Sequence, residues 1–82
     1  MRQVRKLKFG NGIQQIKAYR IVAGKAELVD IEYTNSKGVL RWMPPSTGTF
    51  NLICDMSPQY SITGLEIVSD AGFAENFNYF PI

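Results

Sequence analysis

The chain has 82 residues and a net charge of +2, with 45% apolar and 20% charged residues. That is one domain with a thin core, and the composition is too apolar for a disordered chain. It contains no histidine and one cysteine, Cys54. This excludes an internal disulfide, a cysteine–histidine zinc site and any triad that relies on a histidine base.

Small secreted domains are usually stapled by disulfides, so a chain without one is expected in a reducing compartment, the cytoplasm or the inside of a host cell. Met1 is followed by Arg2, Val4, Arg5 and Lys6 with no apolar stretch behind them, which does not read as a signal peptide. No apolar run has the length of a membrane span, so no membrane partner is expected. Charge is unevenly spread. Seven cations precede the first acid, Glu27, and the rest of the chain sets two cations against seven acids.

In chain order, residues 4–9 alternate, with Arg5, Leu7 and Phe9 on one side and Val4, Lys6 and Lys8 on the other. This predicts a strand. Gly10-Asn11-Gly12 suits a tight turn and suggests a hairpin into the next segment. Residues 13–23 carry both helical and alternating spacings; the turn before them and the β-branched run at their end favour a strand. Gly24 then turns the chain.

Residues 27–34 alternate most clearly. Val29, Ile31 and Tyr33 are expected inward, and Leu28, Asp30, Glu32 and Thr34 outward. Asn35-Ser36-Lys37-Gly38 reads as a turn, and 39–43 as a short strand stopped by Pro44-Pro45. Residues 49–54 place Phe50, Leu52 and Cys54 on one face, 55–60 form a loop, and 61–69 form a strand with Leu65 and Ile67 inward and a bulge at Gly64. Asp70-Ala71-Gly72 is a turn, residues 73–76 suit a helical turn, and 77–82 form a closing edge strand limited by Pro81. The whole chain thus reads as a single all-β domain, a compact antiparallel sandwich of about seven short strands. A small barrel of the oligonucleotide-binding or SH3-like type is the second choice.

The segment 16–38 (IKAYRIVAGKAELVDIEYTNSKG) and the strand ending in Leu65-Glu66-Ile67 resemble, in rhythm, the small galactose-binding-like or discoidin-type β-sandwich domains. The resemblance implies a sandwich and a binding role, with ligands in that superfamily ranging from carbohydrate to lipid and protein. It transfers no binding residue to this chain.

No constellation for catalysis, cofactor or metal stands out. Cys54 follows Leu52-Ile53 and is expected to be a buried, inert thiol. Asp30 and Glu32 share a strand face but lack the further acids that calcium or glycoside chemistry needs. The expected function is therefore non-enzymatic binding or assembly through protein contacts, with self-association favoured. Trp42, Phe77, Tyr79, Phe80 and Ile82 are the candidate interface residues, because large aromatics anchor interfaces and residues 77–82 are apolar on both strand faces. Two alternatives stand beside it: a carbohydrate-binding β-sandwich, as the resemblance implies, and single-stranded nucleic-acid binding by the basic N-terminal hairpin. The latter would use Arg5, Lys6, Lys8, Lys17 and Arg20 on phosphates, and Tyr19 as a stacking platform.

Overall fold

In the computed structural model, which describes residues 4–68, the chain forms six strands and one short 3-10 turn. These are β1 (Arg5–Lys8), β2 (Gln15–Val22), β3 (Lys25–Tyr33), β4 (Val39–Trp42), β5 (Gly48–Cys54), the turn Pro58–Tyr60, and β6 (Ile62–Ile67). All pairings are antiparallel. β1 pairs with β4 in a two-stranded sheet, and the second sheet runs β3-β2-β5-β6. The fold is the expected all-β sandwich and not a closed barrel. The expected strand over 77–82 lies outside the described residues.

Strict alternation builds the core. Leu7, Leu40 and Trp42 of the small sheet, with Phe9 just beyond β1, meet Ile16, Ala18, Phe50, Leu52, Cys54, Leu65 and Ile67 of the large one. Trp42 and Phe50 join the two sheets edge to face, with ring centroids 5.3 Å apart at 78°. Most of the ambiguous segment 13–23 does form a strand, Gln15–Val22, because Ile16 and Ala18 must share one face to reach this core. The bulge expected at Gly64 is present: Phe50 faces Leu65 and Leu52 faces Ile62, so Asn51 faces two residues. Gly64 takes the left-handed conformation there, and its N–H donates to Asn51 Oδ1 at 2.9 Å.

Two expectations are corrected. The first is the β1–β2 hairpin, since β1 pairs with β4 instead. Leu7 and Ile16 must face each other from opposite sheets, which a hairpin would forbid. The glycine-rich segment between the strands therefore crosses from one sheet to the other and bonds to the β3–β4 connection. Phe9 N–H donates to Gly38 O at 2.7 Å and Gly12 N–H to Ser36 O at 3.1 Å. Thr34, buried, accepts the Gln14 N–H at 2.7 Å and donates to Gly12 O at 2.9 Å. Gly38 is required here: its φ is +80°, and a Cβ would run into the backbone of Gly10.

The second correction concerns β3 and the residue after it, Thr34, which is buried and not outward. Glu32 lies opposite Ile16, and Asp30 opposite Ala18. Opposed residues share a sheet face, so Asp30 and Glu32 lie on the inner side, while Ile31 and Tyr33 are on the outer one. The reason is position. β3 is the end strand, and none of its nine residues is buried. Without cover from the small sheet, its inner positions stay wet enough for acids. The two-residue turn into β3 uses positive φ at both Ala23 (52°) and Gly24 (78°), as a type I′ hairpin requires.

Candidate interaction surface

The outer face of the large sheet follows from the register. Ile31 sits beside Lys17, and Lys17 beside Ile53. Leu28 sits beside Tyr19, Ala26 beside Ile21, and Tyr33 beside Gln15. Exposure is high where a sheet face usually turns polar: Leu28 is 49%, Ile31 45% and Tyr33 61% exposed. Tyr19, Ile21 and Ile53 are half-buried and continue the patch. Scattered apolar surface is ordinary, whereas contiguous patches mark interaction sites.

Lys17, within this face, is paired: its Nζ lies 3.1 Å from Asp55 Oδ2. That hydrogen bond, then the Asp55 charge and less strongly Tyr19, raise the lysine pKa above its ordinary value. Gln15 Nε2 donates to Tyr33 Oη at 3.0 Å. Lys17 with Asp55 and Gln15 with Tyr33 are thus paired across the face, while Glu66, opposite Thr49, carries its remaining charge on β6.

The other side of β3 is different in kind. Glu27, Asp30 and Glu32 lie along it, and Val29 is an extra residue with no partner on β2, because Ala18 faces Asp30 and Tyr19 faces Leu28. Burial, and then the Asp30 charge, raise the Glu32 pKa above the usual carboxylate value. Asp30 Oδ1 accepts the N–H of Ile31 at 3.0 Å, so a carboxylate occupies a donor at the edge that no described strand pairs with.

The residues proposed to hold nucleic acid are brought to different places. Arg5 is 3% exposed, on the core side of β1 opposite Trp42. Lys6 is exposed beside Arg41 on the outer face of the small sheet. Lys8 Nζ is held by Gly10 O (2.8 Å) and Lys37 O (2.7 Å), with Asn11 Oδ1 at 3.3 Å. Lys17 and Tyr19 lie on the outer face of the other sheet, and Arg20 is on the inner side of β2, opposite Phe50. The basic hairpin that would have aligned them is not formed.

Among the interface candidates, Trp42 is 1% exposed and belongs to the core, so it is not an accessible anchor. Phe77, Tyr79, Phe80 and Ile82 lie outside the described residues. Cys54 is buried, as expected, and its Sγ donates to Gln14 Oε1 at 3.4 Å. The outer-face patch was missed because Ile31 and Tyr33 were assigned to the core. The signal for it is in β2, where Lys17 shares one face with Tyr19 and Ile21 while Arg20 shares the other with Ile16 and Ala18, so both faces are mixed rather than one apolar and one polar. Among the described residues, no helix is long and apolar enough to cross a membrane, and no three metal-ligating side chains converge. Compared with known protein families, curated proteins and solved structures, the chain matches none.

Proposed function

We propose that this domain is a non-enzymatic assembly module that associates with a second copy of itself through the outer face of the large sheet. The carrying observation is the contiguous exposed set Leu28, Ile31 and Tyr33, extended by Tyr19, Ile21 and Ile53. A second copy suits this face because its central cation is already paired with Asp55, and the other acid on the face, Glu66, stands on β6 at the far end of the sheet from Leu28, Ile31 and Tyr33. The acids of β3 lie on the opposite side and are not brought together by this contact.

Strand spacing and rise make the face of four strands roughly 19 by 25 Å. That is well below the roughly 800 Å² per partner of a standard interface, so the self-association is weak and concentration-dependent. Sedimentation equilibrium of the full chain over a wide concentration range tests this. The average mass should rise with concentration, and Ile31→Glu should hold the chain monomeric while leaving its Trp42 fluorescence unchanged. A chain monomeric up to its solubility limit, or an Ile31→Glu variant that associates as before, would overturn the proposal.

A further inference from the structure

β3 ends its sheet, so along its free side no described strand takes up the backbone N–H and C=O groups. The N–H of Thr34 donates to Gln14 O, toward β2. Alternation then turns the N–H groups of Tyr33 and Ile31 outward, which agrees with the Ile31 N–H bonding to the Asp30 carboxylate. From Asp30 to Tyr33 the strand is regular, with acids on its inner side and apolar side chains on its outer side.

We propose that this edge accepts an added strand from a partner protein, an extended segment in which lysine or arginine alternates with apolar residues. An added antiparallel strand places each residue on the same face as the one it opposes. Its cations would then face Asp30 and Glu32, and its apolar side chains would extend the row of Ile31 and Tyr33. As the strand docks, its backbone carbonyl replaces Asp30 as acceptor of the Ile31 N–H, which frees that carboxylate for the incoming cation.

Charge decides between occupants. A second β3 would bring Glu27, Asp30 and Glu32 against the same three acids, and opposed like charges destabilise a ladder. The chain's own Lys6-Leu7-Lys8 has the right alternation, but Leu7 is fully buried and Lys8 is tied to loop carbonyls, so β1 of another copy cannot leave its place to dock. Charges and a bulge can also serve only to keep an edge from pairing, and the experiment must separate that role from docking.

The inference rests on the edge and its acids, not on the outer-face contact, and is tested with the full chain diluted below any self-association. The probes are three fluorescein-labelled peptides: one alternating valine and lysine, one of the same composition with the lysines in a block, and one alternating valine and glutamate. Anisotropy should show the alternating lysine peptide binding roughly tenfold more tightly than either control, as two cross-strand ion pairs and a matched register would give. Amide exchange of Ile31 and Tyr33 should slow in its presence. Asp30→Lys with Glu32→Lys should transfer the preference to the glutamate peptide. Equal binding of blocked and alternating lysine peptides, or no binding of any of the three, would overturn the inference, the latter leaving the acids as edge protection alone. Neither outcome bears on the sedimentation result.

Discussion

Replacing Leu52 by alanine tests whether the centre of the large sheet holds the domain together. Leu52 is fully buried, in the strand between Ala18 of β2 and Ile62 of β6. Three carbons leave the core, worth about 0.8 kcal/mol each, or roughly 2.4 kcal/mol of transfer free energy. Ala18 beside it is too small to fill the space, and both neighbouring strands are fixed by their ladders. A cavity therefore persists, and the total should reach about 3–4 kcal/mol. For a chain of 82 residues, typical stability is about 4–12 kcal/mol. The loss is thus a large share of the whole, and the melting temperature should fall by about 15–25 °C. Urea unfolding read by Trp42, the single tryptophan and a buried one, measures this directly. Leu28→Ala on the outer face is the control and should cost less than about 1 kcal/mol. Equal midpoint shifts for the two variants, or a Leu52→Ala cost below about 1 kcal/mol, would refute this account of the core.

Two further outcomes follow from single residues. Ala23 holds a positive φ of 52° in a turn that favours asparagine there, so Ala23→Asn should stabilise by about 0.5–1 kcal/mol in urea titrations. Glu32 has its pKa raised in the folded state, so its ionised form opposes folding. That penalty is present above the raised value and is relieved as pH falls from there into the ordinary carboxylate range. Glu32→Gln should therefore raise the melting temperature at neutral pH and lose that advantage by about pH 4; an equal gain at both would refute the assignment.

The parts of the fold that were legible in the sequence are those where burial acts on every second residue. Phe50, Leu52 and Cys54 alternate because β5 is flanked by strands on both sides, and its inner face is dry throughout. Gly64 announced its bulge because few other residues accept that backbone conformation. Pairing partners were not legible. Gly10-Asn11-Gly12 signals a change of direction but not which strand comes next to β1. The phase of β3 was misread for a related reason. Apolar residues reveal the core side only where one side is dry, and an end strand exposed on both sides gives them no such preference. Trp42 is an interface candidate by residue type alone, but its alternation with Leu40 places it inside. The candidate surface shares this limit, since Ile31 and Tyr33 drew notice as apolar residues but were given to the wrong side.

The clasp between residues 9–14 and 34–38 has a consequence for the route by which the chain folds. Pairing Lys8 with Val39 directly would close a long loop at a high entropic cost. The β2–β3 hairpin has a two-residue connection and needs no such closure, so it can form first, within microseconds. Once zipped, it brings Thr34 beside Gln14 and so delivers Gly38 to Phe9. The long loop is then nearly closed before β1 and β4 meet. The benefit of Ala23→Asn should accordingly appear as faster folding rather than slower unfolding. The least covered of the described strands is then among the first the nascent structure depends on.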